Sequence, residues 1–95
     1  MVRLNTLVIR VDTNNEIGLG HFMRCRAFAQ AWARRGGNSI FVMAGASQII
    51  LKRLVSEDIQ VALLDSLVDE IGYINKIGDQ NSAEWLIIDL SLIHI

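Results

Sequence analysis

Short apolar, β-branched runs alternate along this chain with segments of helical periodicity, and few folds accept that alternation. Leu7-Val8-Ile9-Arg10-Val11, Ser39-Ile40-Phe41-Val42-Met43, Val61-Ala62-Leu63-Leu64 and Trp85-Leu86-Ile87-Ile88-Asp89 read as strands. Helices are predicted between them over 21–35, from a Ser47 cap to 56, and over 67–77, the last weakened by Gly72 and Gly78. In the first helix Cys25, Phe28, Ala29 and Trp32 share one face, and Gly36-Gly37 ends it. In the second, Ile50, Leu51, Leu54 and Val55 are expected inward. Strands that are apolar throughout need cover on both sides, so the order β-α-β-α-β-α-β implies a parallel sheet between helical layers. Right-handed crossovers then give a Rossmann-like α/β half-sheet.

Composition narrows the function classes. With 95 residues the chain makes one small domain, and 52% hydrophobic content supplies a core of marginal stability. The absence of proline and of long polar runs argues against disorder. A net charge of −1 gives no electrostatic footprint for nucleic acid or an anionic membrane. Arg24, Arg26, Arg34 and Arg35 read as a solvated helix face. The lone Cys25 rules out an internal disulfide and fits a reducing compartment. The amino terminus lacks signal-peptide anatomy, and no apolar stretch approaches a membrane span, so a soluble cytoplasmic protein is expected.

Chemistry concentrates in Arg10-Val11-Asp12 and Ile17-Gly18-Leu19-Gly20-His21-Phe22-Met23-Arg24-Cys25, the loop after strand one and the expected first turn of helix one. Ligands of open parallel sheets bind there, beyond the carboxyl ends of the strands. Gly18 and Gly20 would let the backbone approach a ligand and adopt positive φ. Free N–H groups at the helix start could then face a phosphate. His21 at that start would be kept uncharged by the helix dipole, as a general base requires. Arg24, one turn on, could steer a phosphate, and Asp12 could orient the histidine or cap the helix.

Each residue also has a plain structural reading. The glycines could form a tight turn, His21 could be a surface residue, Asp12 a loop-stabilising carboxylate, and Arg10 a partly buried arginine paired with an acid. Cys25, one turn from His21, could be a nucleophile, but a cysteine on an apolar helix face is ordinary core. A dinucleotide site is disfavoured, because Met23 stands where a small residue is needed and Met43-Ala44-Gly45 where an acid is needed.

Together, Arg10-x-Asp12, Ile17-Gly18-x-Gly20-His21-x-x-Arg24-Cys25 and Leu86-Ile87-Ile88-Asp89 resemble the opening of the UDP-2,4-diacetamido-2,4,6-trideoxy-β-L-altropyranose hydrolases of pseudaminic acid biosynthesis. The similarity covers roughly residues 5 to 89, and only the first loop and helix are specific. The glycine-histidine theme is shared more loosely with the lipid-linked glycosyltransferase of peptidoglycan synthesis. The resemblance implies that residues 1–89 are the amino-terminal half of a two-domain glycosyltransferase-B fold, with most UDP contacts in a carboxy-terminal domain that this chain lacks. It implies hydrolysis of the sugar–UDP bond with inversion, water activation by His21, and substrate contacts from Arg10, Asp12, Gly18, Gly20 and Arg24. Neither cofactor nor metal is implied. Two rivals remain: a glycosyltransferase of the same architecture, and a non-catalytic nucleotide-binding module.

After the strand-four aspartate the family continues with histidine and an active-site tyrosine, whereas Asp89 is followed here by Leu90-Ser91-Leu92-Ile93-His94-Ile95. The codons CTG TCT CTT ATA CAC ATC encode those residues and resemble a transposon-end adapter of sequencing libraries. Residues 90–95 are therefore expected to be a non-native tail, structurally a frayed end of strand four. Re-amplification of the locus with flanking primers should give a reading frame that departs from this sequence after Asp89. A native stop codon directly after Ile95 would contradict the expectation.

Overall fold

The computed structural model describes residues 5–13, 16–64, 69–88 and 91–94. Among them the elements are β1 (Thr6–Arg10), α1 (Glu16–Arg34), β2 (Asn38–Met43), α2 (Gln48–Ser56), β3 (Gln60–Leu63), α3 (Glu70–Gln80), β4 (Trp85–Ile88) and β5 (Ser91–His94). The sheet order is β3-β2-β1-β4-β5. β1 pairs in parallel with β2 and with β4, and β2 with β3, as the continuous apolar runs predict. The chain steps outward from β1 to β3 and returns to the far side of β1 for β4. That makes the β1/β4 boundary the topological switch point.

β5 runs antiparallel to β4, with Leu86 opposite Ile93 and Ile87 opposite Leu92. Residues 91–94 of the tail are thus a separate strand rather than a frayed extension. Its Leu-Ile run has the β propensity to pair with the free edge that β4 offers. Asp89, residues 14–15 and the expected start of helix three at Leu67 lie outside the described residues.

Strand alternation sorts the core into two layers. Leu7, Ile9, Val11, Phe41, Met43 and Ile87 face one side, packed with Phe22, Cys25 and Ala29 of α1 and Leu54 of α2. Val8, Val42 and Leu86 face the other, against Ile74 of α3. On α1 the expected inward residues Cys25, Ala29 and Trp32 do pack into the core, but Phe28 does not. Phe22 is fully buried and meets Phe41 edge-on at 5.8 Å, whereas Phe28 is 38% exposed and stacks on Trp32. Phe22, Cys25, Ala29 and Trp32 make the inward stripe. On α2, Leu54 is buried but Val55 is exposed, one position past the stripe.

α1 begins at Glu16, five residues before the expected start, so Gly18 and Gly20 lie inside the helix. Burial of Phe22 and Cys25 just beyond offsets the roughly 1 kcal/mol that each helical glycine costs. All three helices stop in the same way. Gly37 N–H donates to Trp32 O and Gly36 N–H to Ala33 O, with Gly36 at φ 85°. Ile59 and Asp58 close α2 in the same pattern, and Ala83 and Ser82 close α3. Asp58 and Ser82 hold φ of 59° and 52° there, where glycine would be unstrained. Arg26 is not part of a solvated face. Its Nε donates to Glu57 Oε2 at 2.8 Å and ties α1 to the end of α2.

Phe22→Ala should cost about 3–5 kcal/mol and abolish cooperative unfolding, while Phe28→Ala should cost under about 1 kcal/mol. Urea denaturation followed by tryptophan fluorescence separates the two. Equal effects would refute this helix phase.

Candidate site at the carboxyl edge of the sheet

Arg10 closes β1 on the α3 side of the sheet, two residues after Val8. Its side chain is 15% exposed. Nη1 and Nη2 donate to Asp12 Oδ1 and Oδ2 at 2.7 and 3.1 Å, a bidentate pair. Nε donates to Glu70 in the first turn of α3, and Nη1 reaches Val42 O at 3.4 Å. Asp12 Oδ1 also accepts the Ala44 N–H at 2.8 Å. One ion pair therefore joins the ends of β1 and β2 to the start of α3.

Burial pushes the Asp12 carboxyl upward. The hydrogen bonds from Arg10 and Ala44, with the Arg10 charge, outweigh this and hold it below the ordinary aspartate range. Glu57 is likewise lowered, by its hydrogen bonds to Arg26 above all. Burial raises the Cys25 thiol, which leaves it protonated and poor as a nucleophile, in keeping with its core position.

α1 packs on the opposite face from Arg10. His21 lies in its second turn, half-buried, and among the described residues no hydrogen bond reaches it. The expected placement at the helix start is corrected, since five helical residues precede His21 and the dipole effect fades within the first turn. Gly20 has helical backbone, not positive φ. Arg24 is exposed and folds back so that Nε donates to Gly20 O at 3.3 Å. A Cβ at position 20 would meet Arg24 Nη2 at 3.5 Å, an ordinary contact. Gly18 is in the first turn of α1, whose leading N–H groups have no partner within the helix.

The structure thus brings Arg10 and Asp12 together, and separately Gly20 and Arg24. It shows no hydrogen bond between Asp12 and His21 among the described residues. Asp12 serves the β2–α2 connection, the loop-stabilising reading, and Arg10 is the acid-paired arginine. Sequence reasoning missed Glu70, because nothing in the sequence sets the tilt that brings α3 to β1. It also missed a crevice of about 420 Å³ beside the edge, lined by Thr13, Leu19, Gly45, Ala46, Ser47 and Ile50. A larger cleft of about 710 Å³ lies at the other, amino edge, among Gln30, Arg34, Asn38, Glu57 and Gln60. Among the described residues no three His, Cys, Asp or Glu side chains gather as a metal site needs, and no helix is long and apolar enough to cross a membrane.

The fold is a doubly wound α/β sheet, an architecture whose ligands in general bind at the carboxyl ends of the parallel strands. No protein-family model, curated protein or solved structure matches the chain.

Because the Asp12 and Glu57 carboxyls are lowered by folding, their contribution to stability is complete above the ordinary carboxylate values of about 4. It is lost as pH falls through the lowered values. Denaturation midpoints should drop below about pH 4, and less steeply in Asp12→Asn, which at neutral pH should cost about 1–3 kcal/mol. An unchanged pH profile in Asp12→Asn would remove this role.

Proposed function

We propose that the chain is the amino-terminal half of a hydrolase acting on a UDP-linked diacetamido-trideoxy sugar, with a second Rossmann-like domain completing a glycosyltransferase-B cleft. The observation that carries the reading is the place of Gly18-x-Gly20-His21-x-x-Arg24. These residues form the opening turns of the first crossover helix at the carboxyl edge of a 3-2-1-4 parallel sheet, with His21 half-buried and uncommitted among the described residues.

In this reading water attacks the anomeric carbon and gives its proton to the free imidazole nitrogen of His21. The bond from that carbon to the diphosphate oxygen breaks, UDP leaves with the electron pair, and configuration inverts. The first-turn N–H groups of α1, which have no partner within the helix, and the exposed Arg24 guanidinium would supply the donors that a departing diphosphate needs. Arg10 and Asp12 hold the edge in shape, since their donors and acceptors are largely committed to one another, Glu70 and Ala44. One half of a cleft cannot place both diphosphate and anomeric carbon, so residues 1–95 alone should turn over little or nothing.

With the second domain attached, incubation with the UDP-sugar and no acceptor should release UDP stoichiometrically, and His21→Ala should lose about a hundredfold or more in rate. Dependence on an added acceptor would make the protein a transferase. An unchanged function in His21→Ala would leave only a binding module.

A further inference from the structure

The hydrolase reading makes no use of the cleft of about 710 Å³ at the amino edge. The last turns of α1, the turn after α2 and the first residues of β2 and β3 bound it. Crossover helices run against the strands they join, so α1 and α2 both end here. They bring the negative ends of two helix dipoles with them. One wall is set by hydrogen bonds. Arg26 Nε donates to Glu57 Oε2 at 2.8 Å, and Gln30 Nε2 donates to Glu57 Oε1 at 3.3 Å. The Gln30 amide is thereby oriented, with its carbonyl oxygen left to accept.

Two opposite charges line this cleft without meeting. Arg34 closes α1 and Asp58 follows α2, and both are exposed. Among the described residues neither side chain has a hydrogen-bond or ion-pair partner. Beside them the amides of Asn38 and Gln60 each offer a donor and an acceptor. A ligand with one charge would satisfy only one of the pair. A phosphate would in addition meet repulsion from Asp58 and from the two helix ends. A ligand with both charges suits the cleft. Its carboxylate would accept from the guanidinium, and its ammonium would donate to Asp58 within the negative potential of the helix ends. The neighbouring amides would take a peptide group between the two charges.

We propose that the amino-edge cleft binds a small zwitterion of the amino-acid or short-peptide type, with its carboxylate on Arg34 and its ammonium on Asp58. The proposal is independent of the hydrolase reading, whose residues lie at the other end of α1. Amide NMR titration of the 95-residue chain at low salt tests it, with diglycine as the probe. N-acetylglycine keeps the carboxylate and lacks the ammonium, and glycinamide does the reverse. Diglycine should move the signals of Arg34, Asn38, Asp58 and Gln60, and should bind about fivefold more tightly than either analogue. Asp58→Asn should bring diglycine down to the level of N-acetylglycine, and Arg34→Gln down to that of glycinamide. Asparagine accepts the φ of 59° at position 58, and Arg34 is exposed, so both variants should keep the fold. Equal binding of either analogue, no response at these residues, preferential response to inorganic phosphate, or undiminished diglycine binding in a folded variant would overturn the proposal. If a variant loses its dispersed spectrum, the comparison of the three ligands on the unaltered chain decides alone.

Discussion

The carboxyl edge of this sheet depends on the ion pair between Arg10 and Asp12. A parallel sheet leaves its strand ends as separate loops, and nothing in the ladder itself fixes where those loops go. Here a bidentate arginine takes Asp12 along two bonds, a third donor takes Glu70, and Asp12 in turn holds the Ala44 amide. Three elements that are far apart in sequence are thereby anchored at one point. The arginine is 15% exposed and the aspartate 31%, so both charges sit where screening by water is reduced and loss of either partner is costly.

Much of the fold was legible because burial leaves a periodic trace. Four apolar runs without polar alternation specified a parallel sheet covered on both faces, and β1 to β4 realise it. The Ser47 cap and the Gly36-Gly37 stop were legible because each has a local chemical cause. The placement of Phe22 and Phe28 on α1 was not. Phe22 and Phe28 lie six residues apart on a helix of apolar character, and only the position of β2, with Phe41 aimed at Phe22, decides which one goes inward. The start of α1 was misplaced for a related reason. Glycine lowers helical propensity by an amount that tertiary packing of the next turn readily overrides.

Of the residues read as a site, Arg10 was expected to pair with an acid, and it does so with Asp12, two positions on. His21 belongs to a helix on the other face of the sheet, and its expected coupling to Asp12 does not occur among the described residues. Moving the helix start to Glu16 also separates two features that the sequence reading placed together. The N–H groups without a partner inside the helix belong to the first turn, and the histidine to the second.

Openings lined by described residues lie at both edges of the sheet and beside β3 and the end of α3. The amino-edge cleft is larger than the carboxyl-edge crevice, while the carboxyl edge is where α1 begins, with His21 and Arg24 in its opening turns. The proposed hydrolase site is the carboxyl edge. Hydrogen–deuterium exchange of the proposed two-domain protein, with and without the UDP-sugar, tests that choice most directly. Slowed exchange across 12–24 and 44–47, with 34–39 and 57–60 unchanged, is the predicted result. Protection confined to 34–39 and 57–60 would contradict it.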